Sequence, residues 1–428
     1  MDLAGGVILL ILIVTLVVIL SERINETAAA LFGMSLAGAV LYLAYGFEFR
    51  EFVIMMQWDT VLFVTAMLIV VAIAASSGMF QYIALVLIRR TGGNPRSIFI
   101  TFMGFVFVIS LFLDPLPTML VMGAFTVEVC KTLDIDFRPL LISEVIVANF
   151  ASIPSLVGSV PNLVIVVWAE IEVGLMFLVL LPLSLLLFAI TVPLLLRHYG
   201  EKLESEDTSD WNVLFLIKPS VMIKSKHDFY LSIIAMSILI LGFTIGALRV
   251  EASLIAMMVA SGMLVFSHER AKGLIRHLSW DTIFFLVGLF GIVAALEHAN
   301  VIGEFVNGVT GLIGNNAFLA ISFLIWIPGL VLSIIDNIPI AALLAPLGQS
   351  LGSINPVVPL ALIVGTNIGG YMIPFGDAPN MVAVGLASDE GKPISFIEFT
   401  KIAFPLGLIH LVVSTVYSFL AAFLFTLV

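Results

Sequence analysis

The chain carries one interrupted pattern twice: NFASIPSLVGSVPN at residues 149–162 and NIGGYMIPFGDAPN at residues 367–380. Both copies begin with asparagine and end in Gly-x-x-Pro-Asn, and both break a long apolar segment with glycine, proline and small polar residues. Apolar repeats that are broken at corresponding places are typical of secondary transporters, whose binding sites lie where the repeats meet.

Other short runs are duplicated at a similar distance along the chain. QWDT at 57–60 returns as SWDT at 279–282, and LDPLP at 113–117 returns as IDNIP at 335–339. These copies lie 222 residues apart, whereas the fourteen-residue copies lie 218 apart. The predicted organisation is a first repeat over 1–196, a cytoplasmic linker over 197–228 and a second repeat over 229–428.

The composition is that of a polytopic membrane protein. Hydrophobic residues make up 61% of the 428 positions, charged residues make up 11%, and the mean hydropathy is +1.19. These values lie outside the range of soluble domains. The single cysteine excludes an intrachain disulfide and a cysteine-cluster metal site, so we expect no transition metal and no cofactor. The few basic residues form no patch, so we expect no nucleic-acid partner.

Apolar runs long enough to cross a bilayer predict five spans in each repeat. They start near positions 3, 27, 60, 140 and 174, and near 229, 251, 281, 356 and 402. We interpret 97–130 and 317–352 as re-entrant helical hairpins, and 140–172 and 356–387 as broken helices. The predicted fold is an all-α polytopic membrane protein with two inverted repeats of five transmembrane helices, each with a hairpin and a broken helix.

The basic residues predict the orientation in the membrane. Five crossings per repeat are an odd number, so the second repeat is inserted upside down relative to the first. Sixteen lysines and arginines then fall on one side, and only Arg50 and Arg249 fall on the other. By the positive-inside rule, we expect both termini to be extracytoplasmic in a plasma (inner) membrane protein.

The hairpin tips and the breaks are the candidate cation sites. Interrupted backbone at membrane depth is tolerated only where it is buried in protein or lines a watery cavity. Free carbonyl groups at half-helix ends attract cations, and asparagine, serine and threonine oxygens suit Na⁺. The candidate cation ligands are Asp114, Thr118, Asn149 and Ser152 in the first repeat and Asp336, Asn337, Thr366 and Asn367 in the second.

The substrate is expected to bind between these two cation sites. Half-helix N-termini offer free N–H groups to an anion. The candidate substrate-binding residues are Ser155, Ser159, Asn162, Gly370, Asp377 and Asn380. Asp114, Asp336 and Asp377 also fit the role of helix caps, which does not exclude ion binding.

Two further ionisable residues lie inside predicted spans. Glu144 is a candidate proton carrier, whereas His410 is expected to pack in the core. No lysine or arginine is predicted in the membrane core, so the site is net negative. A cation or protons should therefore load before an anionic substrate, which favours Na⁺ or H⁺ as the coupling ion.

Several motifs together resemble those of a known superfamily. They are Glu22-Arg23-Ile24-Asn25 with Thr27-Ala28-Ala29, the two Trp-Asp-Thr helix starts, the Asp-x-x-x-Thr and Asp-Asn-Ile-Pro tips, and the two Asn…Gly-x-x-Pro-Asn breaks. From about Ser21 to the C-terminus, the chain resembles the ion transporter superfamily. The nearest branch contains arsenite permeases and the P protein, and Na⁺/H⁺ antiporters and divalent-anion and citrate symporters are more distant.

The chain departs from the P-protein branch in where it carries its carboxylates. The first tip has Asp114-Pro115 where Asp-Asn is usual, and the first break has Gly158-Ser159 where Gly-Asp is usual. The acidic form occurs instead in the second break, as Gly376-Asp377. The resemblance therefore implies a transporter but does not identify its substrate.

Two functions fit these observations. The first is cation-coupled secondary active transport of a small anion or oxyanion by alternating access, with arsenite or a carboxylate as the candidate substrate. The alternative is an Na⁺/H⁺ antiporter with no separate anionic substrate. Two inverted halves with broken helices favour either over a channel.

The motifs of intramembrane proteases and of ATP-driven transport are missing from the sequence, so we do not expect an enzyme. The expected partners are the lipid bilayer, a small ion and a second copy in a homodimer, formed through a scaffold made by the first two spans of each repeat.

Overall fold

The computed structural model describes residues 2–21, 23–91, 94–133, 135–200, 218–244, 252–267, 271–276, 278–331, 333 and 337–426. Within these ranges the chain forms twenty α-helices, one 3₁₀ turn at Pro219–Met222 and one π-helical turn at Ile327–Val331. Asp336 and most of the linker lie outside the described residues.

The helices of the first repeat are α1 Leu3–Leu20, α2 Glu26–Tyr45, α3 Phe49–Ile54, α4 Trp58–Ser77, α5 Met79–Arg89, α6 Pro95–Ser110, α7 Pro115–Thr132, α8 Arg138–Ser152, α9 Val160–Trp168 and α10 Val173–Tyr199. Those that follow are α11 Lys226–Thr244, α12 Ala252–Phe266, α13 Ala271–Arg276, α14 Trp280–His298, α15 Val301–Ile313, α16 Ala317–Trp326, α17 Asn337–Gly352, α18 Val358–Gly370, α19 Ala378–Asp389 and α20 Phe396–Phe425.

Long apolar helices establish that this is an integral membrane protein. Among the described residues, five helices are long and apolar enough to cross a membrane: α2, α4, α10, α14 and α20. Helices α8 and α9 lie within the segment 140–172 and its flanks and are separated by residues 153–159, which we call the first break. Helices α18 and α19 are separated in the same way by residues 371–377, the second break.

The two halves share local geometry at matching positions. Trp58 opens α4 and donates its indole N–H to the Val53 carbonyl over 2.7 Å. Trp280 opens α14 and donates to the Ile275 carbonyl over 3.0 Å. Both the tryptophans and their acceptors lie 222 residues apart. The duplicated sequence therefore forms duplicated backbone contacts.

The same spacing relates two turns that the sequence does not reveal. Helix α4 ends at Gly78 and α14 is followed by Asn300, and both residues have positive φ, 80° and 56°. Left-handed backbone at these points lets α5 and α15 start as separate helices. The apolar runs predict a single span in each place, starting near positions 60 and 281. A Cβ at Gly78 would overlap the Met222 carbonyl oxygen. Only glycine at this position lets the segment that precedes α11 pack against the end of α4.

Two helix pairs and the broken helices form the centre of the molecule. We call α6–α7 the first helix pair and α16–α17 the second; residues 111–114 form the first tip. Helix α7 packs against α8 and α19, and α17 packs against α9 and α18. Each pair therefore contacts the broken helices of both halves, and α2 packs against α14.

Candidate functional site

One asparagine closes each break. In the first break, Asn162 Nδ2 donates to the carbonyl oxygens of Ser152 and Ser155 over 2.9 and 3.0 Å. The last carbonyls of a helix lack partners within that helix, and leaving them unpaired when buried is costly. The Asn162 amide therefore stabilises the end of α8. The hydroxyl of Ser155 accepts from the Gly158 backbone N–H over 3.0 Å and orders the rest of the loop.

The second break repeats these bonds 218 residues later. Asn380 Nδ2 donates to the carbonyl oxygens of Gly370 and Ile373 over 2.8 and 2.9 Å. The final asparagine of each fourteen-residue pattern thus ties the second half-helix back to the end of the first. This is the physical reason for an asparagine at that position.

The glycine of each Gly-x-x-Pro-Asn run allows the break to contact the neighbouring helix pair. A Cβ at Gly158 would lie 2.5 Å from the Ser110 carbonyl oxygen at the end of α6. A Cβ at Gly376 would lie 2.8 Å from the Ser333 carbonyl oxygen. Neither site can accept a side chain without a shift of backbone.

We expect Gly158→Ala to destabilise the protein by about 1–3 kcal/mol, since overpacking against a carbonyl cannot be relieved by a rotamer change. Thermal unfolding of the purified protein in detergent measures the effect. Gly104→Ala on α6 is the matched control, because nothing lies within 4 Å of a Cβ there. Equal melting temperatures for the two variants would contradict the close-contact interpretation.

The two breaks meet through their asparagines. Asn367 Nδ2 donates to Asn162 Oδ1 over 2.6 Å, and Ser152 Oγ donates to Asn367 Oδ1 over 3.0 Å. The equivalent bond between Asn149 and Asn380 is not formed: Asn149 Nδ2 donates to the Val145 carbonyl over 3.0 Å. In the described part of the chain, the buried Oδ1 atoms of Asn149 and Asn380 have no hydrogen-bond partner.

Asp114 caps two helices at once. Its Oδ1 accepts from the Leu116 N–H over 3.0 Å at the start of α7, and its Oδ2 accepts from the Val160 N–H over 3.2 Å at the start of α9. A carboxylate at a helix N-terminus is favoured by the helix dipole. The sequence left two roles for Asp114, helix cap and cation ligand. The side chain is only half-buried, so a residue that caps both helices can still reach a bound cation.

Asp377 has the corresponding place in the second break. Its Oδ1 accepts from the Ala378 N–H over 2.9 Å, and its Oδ2 accepts from Asn337 Nδ2 over 3.2 Å. At the N-terminus of α9 the carboxylate is Asp114 of the first tip, whereas at the N-terminus of α19 it is Asp377 of the second break. Both half-helices therefore have a carboxylate at the N-terminus, although Ser159 stands where the second break has Asp377.

The remaining predicted residues lie on the same elements. Thr118 and Thr366 are buried; the Thr366 hydroxyl donates to the Leu362 carbonyl over 3.0 Å, and the Thr118 hydroxyl has no partner among the described residues. A Cβ at Gly370 would lie 3.2 Å from Asn337 Nδ2, so its lack of a side chain admits that contact. Asp336 lies outside the described residues.

A small cavity of about 40 Å³ opens beside the first break. Apolar side chains of α4, including Phe63 and Met67, form one wall, and Phe112 of the first tip forms part of another. Asp114 and Ser159 supply its polar groups. Two of the predicted site residues therefore face a space large enough for water molecules or a small cation.

A buried polar chain near the second break involves a residue that the sequence interpretation missed. Tyr371 and Thr191 hydrogen-bond the two ring nitrogens of His410, Nδ1 over 2.5 Å and Nε2 over 2.8 Å. The Thr191 hydroxyl donates to the Leu187 carbonyl over 2.6 Å. We therefore assign the proton of a neutral ring to Nε2, with Tyr371 donating to Nδ1. Both nitrogens are satisfied, as a packing role for His410 requires. The one feature of the sequence that could have drawn attention to Tyr371 is its position as the first residue of the second break.

Sequence comparison identifies relatives over nearly the whole chain. Residues 16–353 match the citrate transporter family, CitMHS. A 46 kDa membrane protein of Mycobacterium leprae (strain TN) is 27% identical over 420 residues, which cover 96% of this chain and 97% of that protein. An uncharacterized transporter of Mycobacterium tuberculosis (strain CDC 1551 / Oshkosh) is 28% identical over 417 residues, with 95% and 96% covered.

The human P protein and one solved structure are also similar. The P protein is 25% identical over 490 residues, and the match covers 94% of this chain and 58% of the P protein. The crystal structure of the Alcanivorax borkumensis YdaH transporter superposes with a TM-score of 0.63 at 12% identity and covers 99% of both chains. At this identity the likeness shows a shared fold alone.

These matches confirm the resemblance to the ion transporter superfamily. Both groups that the resemblance names are found, since the family model is that of the citrate transporters and the P protein is among the relatives. Since the family match extends over most of its length, the chain belongs to the citrate transporter family and is a secondary transporter of the membrane, not an enzyme.

Proposed function

We propose that this protein is a cation-coupled secondary active transporter of a small carboxylate, with Na⁺ or H⁺ as the coupling ion. The observation that carries the proposal is the position of Asp114 and Asp377 on the half-helix N-termini of α9 and α19. N–H groups at these ends would otherwise attract an anion. With carboxylates in place and no basic side chain in either break, an anion binds well only after a cation has been bound.

The first cation site is built from Asp114, Thr118, Asn149 and Ser152. The Thr118 hydroxyl and Asn149 Oδ1 are buried and unpartnered within the described residues, so both oxygens are available to a metal cation. Neutral oxygens and a carboxylate are the ligands that hard cations prefer. The second site, from Asn337, Thr366, Asn367 and Asp336, is proposed on the sequence repeat, since Asp336 lies outside the described residues.

The substrate site lies between the breaks, at Ser155, Ser159, Asn162, Gly370, Asp377 and Asn380. Asn380 Oδ1 is buried without a partner in the described chain, which suits either a cation or a substrate hydroxyl. Membership of a family described as citrate transporters favours a carboxylate substrate over arsenite.

Alternating access fits two repeats inserted with opposite orientation. In this proposal α6–α7 and α16–α17 are re-entrant hairpins, and they move with the breaks against a scaffold that includes α1, α2, α11 and α12. The bias of sixteen basic residues against two supports extracytoplasmic termini in a plasma membrane protein. We propose that two copies associate through the scaffold as a homodimer.

An Na⁺/H⁺ antiporter is the second candidate. Carboxylates at membrane depth can exchange ions by themselves, and Asp114 and Asp377 lie at half-buried positions in the first tip and the second break. In this case no anion would be carried.

Thermal unfolding of the purified protein tests the proposal. Citrate should raise the melting temperature only when Na⁺ is present or the pH is low, because the cation must neutralise the site first. A ligand at 100 times its Kd stabilises by about 2.7 kcal/mol, which is readily measured. Uptake of labelled citrate into proteoliposomes should then follow the gradient of the same cation. Movement of protons driven by Na⁺ in liposomes without any anion would instead establish the antiporter.

A further inference from the structure

One ionisable side chain in the core takes part in neither break. Glu144 lies on α8, about two turns before the first break, and is fully buried. Its Oε1 accepts a hydrogen bond from the Thr126 hydroxyl of α7 over 2.5 Å. Its Oε2 is also buried and has no hydrogen-bond partner in the described part of the chain. A buried polar atom without a partner calls for a functional or structural reason.

The second repeat indicates that this pair is not needed for packing. By the spacings of the tip and break motifs, Gly348 and Leu362 correspond to Thr126 and Glu144. The same contact exists there, since a Cβ at Gly348 would lie 3.6 Å from Leu362 Cδ2. An apolar pair therefore fills this place between α17 and α18, and the Glu144 carboxyl is a feature of the first repeat alone.

The groups around Glu144 offer no counter-charge. On α7, Cys130 lies one turn from Thr126 and near the carboxyl. At the start of α8, Arg138 pairs with Asp136 over 2.7 Å. The other titratable groups on the helices packed against α8 are Arg96 on α6, Glu128 and Lys131 on α7, Arg197, His198 and Tyr199 on α10, Asp389 on α19, and Glu398, Lys401, His410 and Tyr417 on α20. In the described chain, no hydrogen bond or ion pair joins any of these to Glu144.

We propose that Glu144 is the proton-binding site of the transporter, which rests on the function proposed above. An unpaired carboxylate in so dry a place is very costly, so Glu144 is protonated in this conformation. The unpartnered Oε2 is the oxygen that carries the proton, because Oε1 already accepts from Thr126. The proton comes from water on one side, forming the O–H bond at Oε2, and returns to water when that bond breaks in a conformation open to the other side.

The position of Glu144 explains how a proton could affect the site. Asp114 caps the start of α7, and α8 ends at Ser152. The bond between Thr126 and Glu144 joins these two helices. Ionisation would draw water to the carboxyl and loosen the contact between α7 and α8. Proton binding is thereby linked to the geometry of the first tip and the first break.

The first test is transport by the full-length protein in proteoliposomes. Glu144→Gln keeps an oxygen for the Thr126 hydroxyl but cannot ionise. We expect an inward proton gradient to raise labelled-citrate uptake by the wild type at least about fivefold, corresponding to about 1 kcal/mol. The variant should show the same uptake with and without the gradient, and should keep citrate exchange at equal pH. Glu128→Gln, an exposed change on α7, should behave as the wild type.

A double variant guards against a folding artefact. Thr126→Gly with Glu144→Leu installs the pair that the second repeat already uses, so the protein should fold and lose its response to the proton gradient. A gradient response that persists in both Glu144 variants would overturn the proposal.

Thermal unfolding separates a failure of this inference from a failure of the proposed function. If the wild type carries no citrate, the proposed function fails, but the proton site can still be measured. Wild-type melting temperature should fall as the pH is raised from the acid side, because the unfolded chain releases a proton that the folded protein holds. Glu144→Gln should remove that slope, and an unchanged slope would rule out Glu144.

Discussion

Replacing Asn162 by alanine is expected to cost the folded protein about 3–6 kcal/mol, since it leaves several buried groups without partners at about 1–3 kcal/mol each. The Asn162 amide donates to the Ser152 and Ser155 carbonyls, and its Oδ1 accepts from Asn367. Asn162 is fully buried, so truncation of its side chain would also leave a cavity, which adds to the loss of stability. Thermal unfolding in detergent should show a fall of at least about 5 °C.

Asn380→Ala is the matched comparison from the other repeat. It removes the two bonds to the Gly370 and Ile373 carbonyls, but its Oδ1 has no partner to lose within the described residues. The loss should therefore be smaller than for Asn162→Ala. An equal or larger loss for Asn380→Ala would show that the bond between Asn367 and Asn162 contributes nothing to stability.

Asp114→Asn should weaken binding of the coupling cation at least about tenfold, equivalent to about 1.4 kcal/mol. The substitution removes the negative charge that the tip places at α9, and it puts an NH₂ donor in place of one of the two oxygens that accept from the Leu116 and Val160 N–H groups. The concentration of Na⁺, or the pH, that gives half of the maximal thermal stabilisation measures the change.

The control for Asp114→Asn is Asp59→Asn, an exposed carboxylate near the start of α4. It alters the net charge equally but lies away from both breaks, so cation dependence should be unchanged. If both variants shift the midpoint alike, the effect comes from general electrostatics and Asp114 is not a ligand.

Much of the architecture could be predicted from the sequence, because the repeated motifs mark places where backbone must leave the helix. Pro and Gly at the tips and breaks indicate such interruptions directly. The separate helix α15 could not be predicted, because Asn300 adopts its left-handed turn through tertiary context and gives no local signal.

The candidate site was harder to predict than the fold. Residue type singled out Asp114 and Asn367, yet their partners lie far along the chain: Asp114 caps α9 at Val160, and Asn367 bonds to Asn162. No periodicity encodes contacts of this kind. Tyr371 was missed for the same reason, since its partner His410 is on another helix.

The single bond between Asn367 and Asn162 also bears on energetics. Asn149 Nδ2 and Asn380 Oδ1 carry the same chemistry, so a rearrangement that joined them and parted the other two would replace one bond between amides by another. It would lack a counterpart of the Ser152 bond to Asn367, because Gly370 stands at the position that matches Ser152. The free-energy gap between the two arrangements would then be about one hydrogen bond, or about 0.5–1.5 kcal/mol. A bound ion with only a modest preference could then decide which arrangement is populated, since a ligand shifts a two-state balance by its differential affinity. Duplication would in this way have left the molecule two related arrangements of one polar centre, separated by about one hydrogen bond.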